Sequence, residues 1–382
     1  VSSPFMEKQS ASIIASALDL RKDVYTFDIT GSLRAGILAL KAAVDAIKAG
    51  SAKRVLVIAA DSRRAGPTSD FEQTFGDGAA ALLLGEEGNI ADIEAFSTVV
   101  NPAPGSWRRA EDVYPKVFDV RLDTRYGLLT DIPQAVNELM GKCNLEVKDI
   151  SKFALYSFDQ RNHTAIARSL NIDPKTQLQD LMFANVGITG TPHCLLLLVA
   201  ALEAAKPNER IVCAGYGEGG DAFLVRSTEK VEQEKGKHKG TKYVSSKRPL
   251  PSYGHFLNYK KEIDVGWPER EKSSVVKYWR DENFALRLLG MRCSKCGTLQ
   301  YPISRICMMC GEKDNYEEAR LARKGKVFSY THDYLLGPGN LSGDGINPAT
   351  RVVTDLEDGC RLWLEMTDYA LEIGRASCRE RG

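Results

Sequence analysis

Four cysteines stand in two pairs, Cys293-x-x-Cys296 and, ten residues on, Cys307-x-x-Cys310. A tetrahedral zinc ion takes four thiolates, and two such knuckles deliver them from two short turns. Gly297 and Gly311 each follow the second cysteine of a pair, where a tight turn favours glycine. No open coordination position is implied, so the expected zinc is structural, not catalytic. His255 and His332, the histidines nearest in sequence, read as surface or loop residues.

A second pattern is Gly215, Gly217 and Gly220, which satisfy GxGxxG. A dinucleotide loop needs a helix after the glycines to receive the pyrophosphate. Here Asp221-Ala-Phe-Leu-Val-Arg226 has the pattern of a strand, so the glycines are expected to form a hairpin. His163, in the turn after Asn162, and His193, beside an apolar run, are expected to be structural or capping.

Strands alternating with helices must position these groups over residues 1–226, which implies an α/β domain. Leu33, Ile37, Leu40, Val44 and Ile47 predict a helix over 33–48 that stops at Gly50. Strands are expected at Arg54–Ala60, Ala79–Leu84, Lys152–Phe158, Arg210–Ala214 and Ala222–Arg226, and helices at Asn162–Leu170 and Cys194–Ala205. Residues 227–250 hold seven Lys/Arg and three Glu and read as a solvated linker. A helix over Ser274–Leu289 leads into the cysteine pairs within a unit of residues 251–320. Short β-type runs at Lys326–Thr331, Thr350–Val353 and Cys360–Met366 then suggest a small barrel over 321–372. The ending Ile373-Gly-Arg-Ala-Ser-Cys-Arg-Glu-Arg-Gly382 fits no fold pattern and looks like a translated sequencing adapter.

The bulk properties narrow the function. The 382 residues carry 51 Lys+Arg against 50 Asp+Glu, a net charge of +1, so no global field would hold nucleic acid or an anionic membrane. The longest apolar run, Cys194–Leu202, is far too short to span a bilayer. With Cys378 set aside, the pairing of four cysteines and the scatter of the other four indicate metal usage in a reducing, cytoplasmic compartment rather than a disulfide framework.

The zinc ribbon followed by a small barrel, after a helix bearing Tyr278-Trp279, resembles the rubredoxin-like zinc-ribbon plus OB-fold proteins that accompany thiolase-superfamily enzymes. In that family the module helps hold acyl-CoA and bridges partner enzymes. Residues 1–226 resemble the 3-hydroxy-3-methylglutaryl-CoA synthases and β-ketoacyl synthase III enzymes. The likeness rests on Phe27-Asp-Ile-Thr-Gly-Ser-Leu-Arg-Ala-Gly-Ile-Leu-Ala-Leu40, on Phe75-Gly-Asp-Gly-Ala-Ala-Ala-Leu82, and on the glycine motifs Gly187-Ile-Thr-Gly190 and Gly215-Tyr-Gly-Glu-Gly-Gly220. The family's N-terminal portion, with its first strand and a catalytic acid, has no counterpart here. The resemblance implies a thiolase fold, acyl-CoA carbon–carbon chemistry with a CoA thioester as substrate, a homodimer and a possible partner thiolase. It implies neither nucleic acid nor membrane as partner.

Three positions depart from that pattern. The resemblance puts Leu33 where the acyl-accepting cysteine stands, Asp159 at the histidine, and Ile188 at the oxyanion-hole asparagine. Substitutes are sought among Ser32, an acyl acceptor or a helix N-cap; Asp159, a general base or an ion-pair partner of Arg161; and Tyr216, an acid–base group or a core residue. No base for Ser32 is evident nearby in sequence. A cysteine-free aldolase using CoA thioesters and a non-catalytic CoA-binding scaffold remain as alternative functions.

Overall fold

The computed structural model describes residues 2–5, 7–102, 105–236, 249–250, 252–263, 274–334 and 349–366, the single positions 240 and 244, and the backbone of 377–378. Contacts divide the chain into two units: Val1–Met6 with Ile29–Ser245, and Glu7–Asp28 with Ser246–Gly382. This division assigns residues 7–28 to the second unit and continues the first beyond 226.

The first unit is built on a four-stranded mixed sheet in the order β3 (Ala91–Val100), β6 (Gly219–Ser227), β5 (Arg210–Tyr216), β4 (Lys152–Leu155). Its central strands β5 and β6 are covered on both faces, which is why they read as nearly continuous apolar runs. β5 sends Ile211 and Cys213 to one core and Val212 and Ala214 to the other. The first core takes α2 (Ala35–Lys48) and α8 (His193–Ala204); the second takes α5 (Leu129–Cys143) and α6 (Gln160–Ser169); α3 (Asp70–Thr74), α4 (Val120–Leu122) and α7 (Phe183–Val186) are short connecting turns of helix. α8, apolar almost all round, is buried on most of its surface, as such a helix must be. Fully buried side chains such as Leu40 and Leu195 each contribute roughly 1.5–3 kcal/mol by leaving water.

A separate antiparallel ribbon pairs β1 (Arg54–Ser62) with β2 (Asp77–Gly85), Leu56 opposite Leu83. α2 buries Ile37, Leu40 and Val44, one apolar stripe at helical spacing, and packs on β1. The Gly76-Asp-Gly78 motif before β2 meets the Gly187 loop: Phe75 bridges to Ile188, and the Ile188 N–H donates to the Thr74 carbonyl at 2.8 Å. A Cβ on Gly76 would overlap the Val186 carbonyl, so only glycine fits there.

In the second unit, β7 (Leu289–Cys293) is flanked by β8 (Leu299–Gln300) and β9 (Tyr316–Arg320). A further antiparallel sheet runs β12 (Arg361–Glu365), β11 (Ala349–Leu356), β10 (Gly325–Asp333), with Ser377–Cys378 pairing beside the start of β10. α1 (Ser10–Ala17) belongs here because Ser16 Oγ donates to Glu282 at 2.7 Å and Asp19 pairs with Arg287 at 3.1 Å and with Arg320.

Several sequence-read boundaries move. The helix predicted over Ser274–Leu289 ends at Ala285, because Leu289 begins the ribbon strand that pairs with Arg320. The strand predicted to Phe158 stops at Leu155, where pairing with β5 ends opposite Ala214. α2 starts at Ala35 instead of 33. The expected linker begins as structure: Ser227 closes β6, and Val231 is buried in the first core. Among the described residues no helix is long and apolar enough to cross a membrane.

Candidate functional site

Two chemically distinct sites emerge, one in each unit. In the second unit the sulfurs of Cys293, Cys296, Cys307 and Cys310 all lie within 4.8 Å of one another, with Cys293–Cys310 at 3.7 Å and Cys296–Cys307 at 3.6 Å. Tetrahedral zinc with bonds of about 2.3 Å sets its sulfurs roughly 3.8 Å apart, so the four thiols fit that ion. Each knuckle closes by the same turn: the Gly297 N–H donates to the Cys293 carbonyl at 2.9 Å and the Gly311 N–H to the Cys307 carbonyl at 3.0 Å. A salt bridge from Lys295 to Glu312 at 2.7 Å ties the two knuckles together.

In the first unit the β5–β6 hairpin folds over the segment that enters α2. The expected hairpin at Gly215–Gly220 is present, with Tyr216 opposite Gly220 and Gly217-Glu218 at its tip. A Cβ on Gly217 would stand 3.2 Å from both Ser32 Oγ and the Leu33 Cβ, so this turn lies directly on the α2 entry. Ser32 Oγ donates to Glu218 Oε2 at 2.6 Å and accepts from the Arg34 N–H at 3.1 Å. The hydroxyl thus accepts an N–H two residues on, in the turn before α2, whose own cap position is Arg34. Glu218 was missed in the sequence because it joins Ser32 across 186 positions.

Beneath this pair lies a buried ion pair. Arg34 Nη1 contacts Asp221 Oδ1 at 2.9 Å, Thr98 Oγ1 donates to the same oxygen at 2.6 Å, and Arg34 Nη2 donates to the Glu218 carbonyl at 3.2 Å. The Asn101 N–H also donates to that carbonyl at 3.2 Å. The hairpin tip is thus clamped from both sides.

Tyr216 is buried, and its phenol donates to Asp123. Asp123 lies on a π-helical turn, Asp123–Leu128, that runs into α5; such turns recur at functional sites. Burial pushes the Asp123 carboxyl above the usual carboxylate range, against the hydrogen bond from Tyr216, and Asp131 and Glu218 add like charge. Burial and the Asp123 carboxylate push the Tyr216 phenol up, so it stays protonated. Asp131, itself raised by burial, accepts two bonds from Asn101 Nδ2 at 3.1 and 3.2 Å. Asp123, like Glu218, carried no local sequence signal: it stands 93 residues from Tyr216.

Asp159 is drawn into a different role. Its carboxylate caps α6, accepting from the Asn162 N–H at 2.7 Å and Asn162 Nδ2 at 2.8 Å. The neighbouring Phe158 ring meets Tyr216 edge-on at 5.5 Å. Ile188 packs into the second core, and Leu33 is half-buried. Cys194 and Cys213 are buried, and burial pushes both thiols well up, away from the thiolate a nucleophile needs. His163 and His193 are fully buried, as expected of structural residues.

The second unit's outer sheet face holds exposed Phe328 with Arg361 above it at 3.8 Å and exposed Trp363 with Arg351 at 5.1 Å.

Comparison with known proteins places both units. Residues 27–101 match the family model for 3-oxoacyl-[acyl-carrier-protein] synthase III, and residues 285–317 match the ChsH2 rubredoxin-like zinc ribbon domain. Hydroxymethylglutaryl-CoA synthase of Methanosphaera stadtmanae is 27% identical over 266 residues, covering 69% of this chain and 77% of that protein. The Archaeoglobus fulgidus enzyme of the same name is 28% identical over 271 residues, covering 69% and 76%. Among solved structures, an HMG-CoA synthase complexed with CoA superposes with a TM-score of 0.59 at 17% identity, over 71% of this chain and 73% of that one. 3-Oxoacyl-[acyl-carrier-protein] synthase III from Aquifex aeolicus gives 0.50 at 23% identity, over 56% and 71%.

Proposed function

For a chain that joins a thiolase-like unit to a rubredoxin-like zinc ribbon, we propose acyl-CoA carbon–carbon bond chemistry of the hydroxymethylglutaryl-CoA synthase kind, carried out without a cysteine. The observation that carries this reading is the meeting of the α2 entry with the Gly217-Glu218 turn, one residue from the Tyr216–Asp123 pair. Carbon–carbon bond formation or cleavage next to a thioester requires a proton to leave and return at carbon or oxygen. A buried carboxyl raised above its ordinary range is a better proton acceptor than an exposed one, and a phenol held protonated is a hydrogen-bond donor. Tyr216 and Asp123 are assigned that exchange, Ser32 the contact with the acyl carbonyl, and Asp159 the seating of α6. The same phenol–carboxylate pair supports running the reaction as an aldol cleavage.

Zinc is assigned a structural role in the ribbon: the four cysteines hold it, and it supplies cross-linking of two knuckles rather than a reaction step. The antiparallel β10–β11–β12 meander supports an OB-type barrel after the ribbon. The outer face of the β1–β2 ribbon, with Leu56, Ala60, Ala79, Ala81 and Leu83 exposed, supports a homodimer. A partner thiolase rests on the resemblance of the ribbon-barrel module alone.

Calorimetric titration with CoA and acetyl-CoA tests the assignment of the site. Gly217→Val places a side chain against Ser32 and Leu33 and is expected to weaken binding at least about tenfold. Unaltered affinity in that variant would remove the site from the α2 entry. A protein that binds CoA but turns over no acyl-CoA would be the scaffold instead.

A further inference from the structure

We infer that Ser32 and Glu218 form a nucleophile–base pair that takes the acyl group from a CoA thioester onto the serine oxygen, an inference resting on the acyl-CoA reading of this site. Serine is a poor nucleophile until a base within hydrogen-bond reach removes its proton. The Ser32 hydroxyl donates to Glu218 Oε2 at 2.6 Å, which meets that condition. On the other side of the oxygen the Arg34 N–H, 3.1 Å away, stabilises charge that develops on it.

The backbone that carries the base is held in place: the Glu218 carbonyl accepts from Arg34 Nη2 and from the Asn101 N–H, both at 3.2 Å, so the turn cannot move off the α2 entry without breaking two bonds. Its φ of 46° is in the left-handed region, unusual for a residue with a Cβ, and such strain is maintained only where the surroundings impose it. Glu218 is exposed and Ser32 half-buried, so a thioester arriving from solvent can reach the pair.

The step balances without a co-reactant. The Ser32 Oγ–carbon bond forms as the carbon–sulfur bond breaks. The hydroxyl proton passes to Glu218 Oε2 and from there to the departing CoA sulfur. The products are an acyl-serine ester and free CoA thiol. Discharge to water reverses the roles, with Glu218 taking a proton from the water and returning one to Oγ.

The experiment is a rapid acid quench of the full-length protein mixed with acetyl-CoA, read by peptide mass spectrometry and by release of CoA thiol. An acetyl group is expected on the peptide bearing Ser32. Ser32→Ala should abolish it, and Glu218→Gln, which keeps the shape and an acceptor oxygen, should slow it by about 100-fold or more. Circular dichroism and urea titration of both variants, expected to match the wild type, show that they fold. Acylation of Glu218→Gln at the wild-type rate, an adduct that persists in Ser32→Ala, or an adduct on a cysteine instead would overturn the pair. Absence of any adduct while the protein still exchanges the α-protons of acetyl-CoA would overturn the pair and leave the acyl-CoA reading standing. Absence of both adduct and CoA binding would overturn both.

Discussion

Arg34 and Asp221, from the entry of α2 and the start of β6, form an ion pair at 2.9 Å whose side chains are only 11% and 5% exposed. Thr98 shares the same carboxylate oxygen. Removing one partner of a buried pair leaves an uncompensated charge, at a cost of about 3–5 kcal/mol. Arg34→Met should therefore lower the unfolding free energy of the first unit, read from urea titration, by that amount, and Arg34→Met with Asp221→Leu should recover much of it. A loss below about 1 kcal/mol in the single variant would show that water reaches Asp221.

The ribbon should hold one zinc per chain. A structural ion contributes its binding energy to folding, so Cys293→Ser should lose the metal and unfold the second unit's β7–β9 sheet. Elemental analysis of freshly purified protein checks the stoichiometry, and circular dichroism with and without a chelator checks the coupling. Metal-free protein with an intact ribbon would contradict this.

Stability should fall on acidification. Burial pushes His163 and His193 down to about 4, against roughly 6.5 in an unfolded chain. Between those values the unfolded chain takes up protons that the native state refuses, so unfolding is favoured as pH drops and the effect vanishes above about pH 7.5. Each histidine can account for up to about 3 kcal/mol. Asp180 faces His163 and opposes its shift, and His163 adds to the shift of His193. Asp123 and Asp131, raised by burial, act in the opposite sense, since the native state holds their protons more tightly. The histidine contribution is therefore read as the difference in pH slope between wild type and His163→Gln, measured by denaturant titration from pH 8 to pH 5. Equal slopes would contradict it.

The fold and the site differed in how far the sequence revealed them. The zinc knuckles were legible because a metal fixes ligand type and spacing over a short stretch. α2 was legible because it hides one apolar stripe, which imprints a helical period, and β1 and β2 because each is a short continuous apolar run bounded by turn residues. α5 was overlooked: Pro133 interrupts its sequence, and a π turn precedes it. β3 was overlooked as well, since an irregularity between Ile93 and Ala95 breaks its alternation. Tyr216 and Ser32 could be nominated from their surroundings, but Asp123 and Glu218 could not. Their roles come from a turn and a hairpin tip brought in by tertiary folding, and neither position differs locally from an ordinary solvated acid. Asp159 drew attention by its position in the chain and proved to be a helix cap.

Exchange of the α-protons of acetyl-CoA in deuterated water, followed by NMR, tests the central claim most directly, because that exchange is the defining step of carbon–carbon chemistry beside a thioester. The zinc-loaded, full-length protein is expected to catalyse exchange. Tyr216→Phe and Asp123→Asn, which keep the packing but break the proton path between phenol and carboxylate, are each expected to reduce it by about 100-fold or more while CoA still binds. Exchange that continues at the wild-type rate in both variants, or a folded CoA-binding protein that catalyses none, would contradict the account.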